Sequence, residues 1–494
     1  MSRNASRGSN RSRLAVVVAF LTLFSTAACG ARWDDQQRAE VVSRNDGGGS
    51  GGSSGGSSSG GTGSGGGATG SGGGSTGSTI AGGGGATGGG ATGGGATGGG
   101  ATGGGATGGG TGGGDAQTGG GGAALPCAAP SDAPGVTDTE ITIGTISSLS
   151  GPVPGLGTSA LEAVRSYVAY RNSLGGVCGR QLAFKSADDG TDSGRHRALV
   201  NELAPQVIGF AGGVGGGDAG SGEAIVQQNV PSITTAISDQ FQNAATEFDI
   251  NPPFADVHQV IGKYRYLYDQ GIRSAAVVYL GIDQTRSEVI DKQIPQMQAA
   301  GIQIVNQQEL PLSTLSYDSA ARAVANSGAD YLFFLADYTQ SAGMARAMAD
   351  TGYQLKSAEY VTAYGPSFLE ITGAASEGVV SWIRTLPNEE AGSNAEQDAF
   401  LQWMAQIAPD AQPDTFAADA WSAAKALVDS LEALPGPITR DSLIAQLHTL
   451  NAFDAGGLLG QIQLGNKLNN GCFVAMKVVN GAWTRMTPDS GFLC

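Results

Sequence analysis

Two short segments of this chain carry residue types that could bind an anion. Residues 147–152 read SSLSGP and supply three hydroxyl groups, and residues 212–218 read GGVGGGD and supply bare backbone N–H groups. Both segments follow an apolar stretch and precede a helical pattern. They would therefore place hydrogen-bond donors at a helix start, where a carboxylate is stabilised. The same glycines also suit a permissive turn without a ligand, and the sequence leaves both interpretations open.

The glycine-rich segment also matches a nucleotide-binding spacing. Gly215, Gly217 and Gly220 fit the pattern Gly-x-Gly-x-x-Gly, and Asp239 lies 19 residues further on. A dinucleotide site needs this pattern directly after the first strand of the fold. Here the pattern follows the third predicted strand, and a glycine-rich loop produces such matches by chance. We therefore expect no cofactor.

Residues for catalysis or metal binding are sparse. The three histidines, at positions 196, 258 and 448, do not lie at ligand spacing, so a histidine-based metal site is not expected. Asp188 and Asp189 are adjacent carboxylates that could serve in acid–base chemistry, but the glycine after them favours a solvated turn. The sequence contains neither a P-loop nor a Gly-x-Ser-x-Gly motif. These patterns predict a protein that is not an enzyme.

The net charge excludes one class of function, and the glycine content indicates a segment that does not fold. The 494 residues include 27 basic and 43 acidic side chains, which give a formal net charge of −16. Such a chain does not suit nucleic-acid binding, which requires a basic surface. Residues 47–124 consist almost entirely of Gly, Ser, Thr and Ala, and residues 86–110 are five tandem ATGGG repeats. This segment has too little apolar surface to fold, so we expect a disordered linker.

The N-terminus has the pattern of an export signal. Residues 1–28 combine four arginines, a short uncharged apolar run and small residues before Cys29. The end of this segment resembles a bacterial lipobox, although Thr26 stands where leucine is usual. The resemblance implies that Cys29 is lipidated and that residues 29–46 follow the anchor on the extracytoplasmic face of the cell membrane. The alternative is an ordinary secretory signal.

The remaining four cysteines predict two disulfides. An even count in an exported protein favours pairing, with three possible connectivities. We favour Cys127–Cys178 and Cys472–Cys494. The first pair would join the entry of the first strand to the loop after the first helix, and the second would secure the C-terminus. A four-cysteine metal site is the alternative, but no Cys-x-x-Cys pair is present.

From residue 125 to residue 494, strand and helix patterns alternate. This alternation predicts parallel sheets covered by helices on both faces. A single sheet of ten or more strands is improbable in a chain of this length, so the sequence favours an α/β fold with two doubly wound lobes. Ser159 and Glu162 form the pattern of a helix-capping box. The predicted strands are residues 140–146, 182–186, 206–211, 232–236, 274–280, 302–305, 331–335, 360–363, 379–383, 472–479 and 482–486.

Several of these stretches resemble one known family. ITIGTISSLSGP at residues 141–152, NSLGGVCGRQLAFKSADDGTD at 172–192 and VIGFAGG at 207–213 are similar to the start of the leucine/isoleucine/valine-binding proteins. These are type I periplasmic binding proteins that serve ABC importers. The resemblance covers about residues 138–494 and includes GAASEG at 373–378 and GQIQLG at 460–465.

The resemblance implies two Rossmann-like lobes joined by three crossings near residues 250, 384 and 460. Lobe 1 would comprise about residues 138–252 and 385–458, and lobe 2 about residues 253–384 and 459–494. A small solute would bind between the lobes and pass to an ABC permease.

The family also implies which positions contact the solute. Its first loop corresponds to Ser148, Leu149 and Ser150. The loop after its third strand, which usually offers a serine to an α-carboxylate, corresponds to Gly213, Val214 and Gly215. The end of its fourth strand corresponds to Ala236 and Ser238. In lobe 2, Asp337, Tyr338 and Tyr364 are the candidates, with Asp337 expected beside an ammonium group.

This chain departs from the family at two of these positions. Gly213 has no hydroxyl, and Thr285-Arg286 stands where the family has a Tyr-Gly pair. An amino acid, a peptide fragment, an amide and an aromatic acid all remain open as ligands. The long linker also permits a different role, a membrane-tethered sensor or cell-wall-associated binding module without transport.

Overall fold

The computed structural model describes residues 126–151, 156–253 and 261–494, with side chains at 283 and 284 left aside. The predicted signal peptide, the predicted lipidation site Cys29 and the predicted linker lie outside the described residues. The strands are β1 Glu140–Ser147, β2 Gln181–Asp188, β3 Phe210–Val214, β4 Ser232–Thr235, β5 Ser274–Leu280, β6 Gln303–Leu310, β7 Tyr331–Leu335, β8 Ser357–Tyr360, β9 Val379–Ile383, β10 Ile462–Gln463, β11 Leu468–Asn469, β12 Val474–Val479 and β13 Ala482–Thr487.

Helices lie between most of these strands. The helices are α1 Thr158–Ser173, α2 Ser193–Leu203, α3 Gly222–Gln227, α4 Asp239–Gln242, α5 Gly262–Asp269, α6 Asp283–Ser287, α7 Ile294–Ala299, α8 Asp318–Ser327, α9 Tyr338–Thr351, α10 Pro366–Thr372, α11 Ala395–Ile407, α12 Thr415–Glu432 and α13 Arg440–Leu447. A π-helical turn covers Glu288–Gln293. Short 3₁₀ turns cover Pro126–Ala128, Ala204–Gln206, Asp218–Gly220, Gly373–Ser376, Asn388–Glu390 and Ala455–Gly457.

Lobe 1 is built on a four-stranded parallel sheet in the order β2-β1-β3-β4. Seven of the eight residues of β1 are buried, as expected for a parallel strand covered on both faces. Helices α11 and α12 return from the far end of the chain to pack on α1. Trp421 of α12 is fully buried there against Tyr167 and Phe400. This long-range packing closes the lobe 1 core.

Lobe 2 contains a seven-stranded sheet in the order β13-β12-β9-β8-β7-β5-β6. Strands β5 to β9 are parallel, and the C-terminal hairpin β12–β13 adds two antiparallel strands. The hairpin turn is Asn480-Gly481, and both residues have positive φ, as the two-residue turn requires. The α/β class and the two lobes are therefore as the sequence predicts.

Several local predictions differ from the structure. Strand β6 continues to Leu310, five residues beyond its predicted end. The third strand begins at Phe210, not residue 206, because a 3₁₀ turn occupies Ala204–Gln206. Strand β8 ends at Tyr360, where the prediction had it begin. The charged Glu359 obscured this strand in the sequence, but it is buried because it pairs with Lys263 at 2.6 Å. The predicted capping box fails, since the Ser159 hydroxyl donates to Asp414 at 2.7 Å.

Both predicted disulfides are present, Cys127–Cys178 and Cys472–Cys494. The first lies against Arg180, whose guanidinium donates to the carbonyls of Cys127 and Ala129. Together these bonds hold the segment that leads into β1. The second joins the C-terminus to the segment just before β12.

The chain passes between the lobes after β4, after β9 and a third time through residues 458–473. Ile462 and Leu464 of this third segment still pack in the lobe 1 core, so the chain enters lobe 2 after β11 and not at the expected residue 459. The second and third crossings pair, with Leu386 N donating to Leu458 O at 2.9 Å and Gly460 N to Arg384 O at 2.7 Å. The third also contacts the first, because Asn469 N donates to Pro253 O at 2.9 Å. The three crossings therefore form one connected region.

Candidate ligand-binding site

The loops that follow the lobe 1 strands meet at one edge of its sheet. Strands β1 and β2 run parallel in register, which places Ser147 opposite Asp188 where both strands end. In an open parallel sheet, this carboxyl edge is where ligands bind. The loop after β1 and the glycine-rich loop after β3 both lie there.

Asp188 holds the first loop in place. Its Oδ1 accepts hydrogen bonds from Leu149 N at 2.9 Å and Ser150 N at 3.2 Å, and its Oδ2 accepts from Ser150 Oγ at 2.5 Å. Partial burial opposes its ionisation, but the bonds from Ser150, Leu149 and Gly190 outweigh it and lower the Asp188 pKa to about 2. Of the predicted contacts in this loop, Ser150 is exposed and Leu149 is half-buried.

Ser148, the third predicted contact of this loop, is fully buried. Its hydroxyl donates to Asp189 Oδ1 at 2.6 Å and accepts from Gly216 N at 2.9 Å. Both hydrogen-bonding roles of the hydroxyl are thus used within the protein. Asp189 is also fully buried, which corrects the expectation of a solvated Asp188-Asp189 turn.

The glycine-rich loop packs on the loop after β2. A Cβ atom on Gly215 would lie 2.7 Å from Asp189 Oδ2, and one on Gly217 would lie 2.7 Å from Asp192 O. Glycine is needed at Gly215 because the Asp189 carboxylate approaches closely, and at Gly217 because the backbone of Asp192 does. The predicted contacts Gly213, Val214 and Gly215 are buried by other parts of the protein. The structure therefore favours the packing interpretation of these glycines over an open anion cradle.

The N–H groups at the end of β4 bind a carboxylate of the protein itself. Asp218, which is almost fully buried, accepts from Ile237 N at 2.6 Å and Ser238 N at 3.1 Å. Burial raises the Asp218 pKa to about 6, although hydrogen bonds from Ser238 and Ile237 oppose the shift. The predicted contact Ser238 caps α4 through Phe241 N, and Ala236 N donates to Asp249.

The lobe 2 candidates lie at the starts of two helices. Asp337 is the N-cap of α9, where its Oδ1 accepts from Thr339 N at 2.6 Å, from Thr339 Oγ1 at 2.5 Å and from Gln340 N at 3.2 Å. These bonds all reach one oxygen, so Oδ2 can still accept from a ligand. Tyr338 is 43% exposed.

Tyr364, the remaining candidate, is buried just before α10. Its hydroxyl donates to Glu389 Oε2 at 2.7 Å and accepts from Asn388 N at 2.7 Å. Burial and the Glu389 carboxylate raise the Tyr364 pKa well above its ordinary value. The structure thus joins this side chain to the segment after the second crossing.

The two lobes also touch away from the crossings. Asp239 at the start of α4 lies 3.7 Å from Lys292 Nζ and 3.4 Å from Ser287 Oγ, both of lobe 2. Asp239 is 59% exposed, so this contact is a weak surface pair. Nearby in lobe 2, Arg286 pairs with Glu309. At the Thr285-Arg286 position, where the chain departs from the expected Tyr-Gly pair, the arginine is therefore paired with Glu309 of the same lobe.

Buried ionic groups surround the crossings. Arg384, just after β9, donates to Asp419 Oδ2 at 2.5 Å and to Ile250 O at 3.2 Å. Burial raises the Asp419 pKa to about 6, despite the attraction of Arg384. Arg384 thus connects α12 of lobe 1 with two of the crossings.

Three buried residues of lobe 1 have the composition of a hydrolase triad. Ser221 Oγ lies 2.5 Å from His196 Nδ1, and Asp189 is near the same ring. Ser221 is fully buried, so a substrate cannot reach its hydroxyl. Burial lowers the His196 pKa to about 4, although Asp189 opposes the shift, and the ring is neutral at pH 7. This cluster supports packing, not nucleophilic chemistry.

Within residues 126–151, 156–253 and 261–494, no group of three or more His, Cys, Asp or Glu side chains could hold a metal ion. In that same part of the chain, no helix has the length and apolarity to cross a bilayer.

Several residues of this site were not identified from the sequence. Asp218, Asp249 and Asp419 do not stand out as single carboxylates in an acidic chain. Only their surroundings in the fold distinguish them: all three are buried, Asp218 and Asp249 accept from backbone N–H groups, and Asp419 accepts from Arg384. The local sequence offers no signal for Asp218, because its donors Ile237 N and Ser238 N lie 19 and 20 residues further along the chain.

Comparisons with known proteins agree with this geometry. A family model described as periplasmic binding protein matches residues 140–482. No curated protein is significantly similar to the chain.

Solved structures show the likeness of fold. A fatty acid ABC transporter substrate-binding protein from Thermomonospora curvata has a TM-score of 0.63 at 20% identity, over 73% of this chain and 94% of that chain. A leucine-binding protein from Thermotoga maritima has a TM-score of 0.58 at 16% identity, over 70% and 98%. A branched-chain amino acid transporter substrate-binding protein from Streptococcus pneumoniae, in complex with isoleucine, has a TM-score of 0.58 at 17% identity, over 71% and 100%.

Proposed function

Because the chain belongs to the periplasmic binding protein family, we propose that it captures a small solute between its two lobes and delivers it to an ABC permease. The protein would do so on the extracytoplasmic face of the membrane, attached through a lipid on Cys29. Solute binding is the family's general activity, whereas the importer, the anchor and an amino acid-like ligand are specific to this proposal.

The observation that carries the proposal is the connected hinge. Arg384 contacts the first crossing through Ile250 O and lobe 1 through Asp419, while its own backbone carbonyl accepts from Gly460 of the third crossing. A hinge of this kind lets two lobes close on a solute, provided that the solute binds the closed state more tightly. The partly exposed candidates Leu149, Ser150 and Tyr338 would contact that solute.

A solute screen tests the capture function. The full mature chain is heated with amino acids, amines, amides, short peptides and fatty acids in turn. A solute at about 100 times its dissociation constant stabilises the folded state by about 2.7 kcal/mol, which raises the melting temperature. Small-angle scattering with the same solute should show a smaller radius of gyration. If no solute produces either effect, solute capture is contradicted.

The anchor is tested at Cys29. In a Cys29→Ala variant, the protein should appear in the medium, because no thiol remains for lipid attachment. Ser25→Ala, which keeps the cysteine, serves as the control and should stay with the membrane fraction. Retention of the alanine variant in membranes would contradict lipidation.

The glycine-rich linker favours a second candidate function, a tethered sensor or cell-wall-associated binding module. A chain of 78 residues with this composition reaches about 44–53 Å, more than docking on a permease obviously needs. Solute uptake separates the two functions. Uptake that is unchanged in a deletion strain favours the sensor, and lost uptake favours transport.

A further inference from the structure

The backbone donors at the lobe 1 edge are already bound to the protein's own carboxylates. Leu149 N and Ser150 N donate to Asp188, and Ile237 N and Ser238 N donate to Asp218. These four N–H groups lie at the ends of β1 and β4, at the edge where the lobe faces the cleft. A ligand carboxylate would have to displace an aspartate to reach any of them.

The hydroxyl groups of the same edge are also in use. Ser148 Oγ bridges Asp189 and Gly216, and Ser150 Oγ donates to Asp188. Ser147 Oγ accepts from Val214 N at 3.2 Å. The hydroxyl protons of Ser148 and Ser150 are therefore already donated to aspartates, and the Ser147 hydroxyl is buried.

Charge at this edge is also unfavourable for an anion. Asp188, Asp192 and Asp239 are all at least partly exposed there. The nearest cation on lobe 1, Arg195, lies 4.0 Å from Asp188 and is 53% exposed. Lys292 of lobe 2 is shared between Asp239 and Glu288. An incoming carboxylate would meet like charge, whereas an ammonium group would meet acceptors.

Apolar groups lie beside these acceptors. Leu149 and Ile237 are half-buried and pack on the lobe 1 core. The N–H group of each is itself bound to an aspartate, Leu149 N to Asp188 and Ile237 N to Asp218. The edge therefore combines an acidic, acceptor-rich position with apolar surface.

We propose that the lobe 1 side of the cleft binds a protonated amine with an apolar body and no free carboxylate. The proposal rests on the proposed solute-binding function and names its ligand class. Asp188 accepts from the ammonium group, and Leu149, whose N–H is bound to the same carboxylate, contacts the apolar body. Asp218 does not touch the ligand. Its carboxylate occupies the N–H groups of Ile237 and Ser238 after β4, so these groups cannot bind an anion.

A matched ligand series tests this assignment with the full mature chain. Isoamylamine, leucine and isocaproate share one branched apolar body and carry, respectively, the amine alone, both groups, and the carboxylate alone. Titration calorimetry should rank isoamylamine at least about tenfold above leucine, with isocaproate weakest. Tighter binding of leucine or isocaproate than of isoamylamine would overturn the proposal.

Two variants test the role of Asp188 separately from the ligand ranking of the wild type. Asp188→Ala removes the acceptor and frees Leu149 N and Ser150 N. We expect isoamylamine to bind at least about tenfold more weakly and isocaproate at least about tenfold more tightly than in the wild type. Asp192 caps α2 by accepting from Arg195 N at 2.6 Å. Asp192→Asn removes a charge from the same edge but keeps this N-cap acceptor, so both affinities should change by less than about threefold. Equal effects of the two variants would overturn the role of Asp188.

The remaining outcomes are also decisive. If Asp188→Ala fails to fold by circular dichroism, the wild-type ranking alone decides. If none of the three compounds binds at millimolar concentration, the amine assignment is overturned. In that case, a melting-temperature shift with another solute would leave the proposed capture function standing.

Discussion

Asp337 illustrates how one carboxylate can serve two roles. The sequence suggested an ammonium partner, and the structure shows an N-cap that uses only Oδ1. Replacement by alanine would lose both roles, so it cannot separate binding from helix stability. An asparagine keeps an acceptor for the cap and loses the charge.

We therefore expect Asp337→Asn to weaken binding of a cationic solute by about tenfold while the melting temperature stays nearly constant. Asp337→Ala should lower both affinity and stability, with about 1 kcal/mol lost from the cap. Calorimetry and thermal unfolding measure the two effects. Unchanged affinity in the asparagine variant would remove Asp337 from the ligand site.

Glu247 is a fully buried carboxyl group of lobe 1. Its Oε1 accepts from Thr234 N at 3.1 Å and Thr234 Oγ1 at 2.8 Å. Burial raises its pKa to about 8, despite the nearby Ser232 and Thr234 hydroxyls. The folded state thus holds a proton that the unfolded chain releases near pH 4.5.

This proton makes stability depend on pH. Because the folded state binds more protons than the unfolded state, stability contributed by Glu247 is full below pH 4.5 and declines as the pH rises towards 8. The slope is about 1.4 kcal/mol per pH unit within that range.

A Glu247→Gln variant, which cannot titrate, should show a flatter profile of unfolding free energy between pH 5 and pH 8. Asp138→Asn, at an exposed position, is the control and should leave the wild-type slope unchanged. An unaltered slope in the glutamine variant would contradict the protonated state.

At the scale of elements, the composition of the glycine-rich loop after β3 does not determine its conformation. Its sequence permitted an anion cradle or a packed turn, and the difference depends on what lies beside it. That neighbour is the loop after β2, and no local pattern predicts this approach. The packed arrangement depends on the missing side chains at Gly215 and Gly217.

We expect Gly215→Ala to destabilise the protein by about 1–3 kcal/mol, because its Cβ would press on Asp189 Oδ2. Gly436→Ala is the matched control, since a Cβ there meets no atom within 4 Å. Its effect should stay within about 0.5 kcal/mol. Urea unfolding measures both. A Gly215→Ala variant as stable as the control would show that the loop can move away from Asp189.

Much of the fold could be predicted from sequence, because strand and helix periods are local. Strands β5, β7 and β9 have the predicted limits, since each is a short apolar run between polar residues. Strand β8 was misplaced because Glu359 lies inside it, and its partner Lys263 is 96 residues away in the chain. Buried ion pairs of this kind are contacts between distant residues, and a single sequence does not reveal them.

The candidate site was less predictable for the same reason. The resemblance located the correct loops, but it could not show that Asp188 and Asp218 occupy their N–H groups. Those bonds depend on the register of β1 with β2 and on the turn that carries Asp218. A family pattern identifies positions, whereas the partners at those positions depend on side chains peculiar to this chain.

At the scale of the whole molecule, Arg384 is the side chain that connects lobe 1 with the crossings. Its partner Asp419 is almost fully buried and has one oxygen without a donor among the described residues. Breaking such a pair from one side leaves a buried charge and costs about 3–5 kcal/mol, whereas replacing both partners with apolar groups is often neutral.

This asymmetry separates stability from hinge function. Arg384→Met should lower the unfolding free energy by about 3–5 kcal/mol, and the double variant Arg384→Met with Asp419→Leu should recover most of it. Both variants lose the bond from Arg384 to Ile250 O, so both should bind solute with altered affinity and show a changed radius of gyration in small-angle scattering. If the double variant recovers stability and also binds and closes as the wild type does, Arg384 supports only the lobe 1 core. Recovery of stability without recovery of binding would instead show that the contact with the first crossing governs how the lobes close.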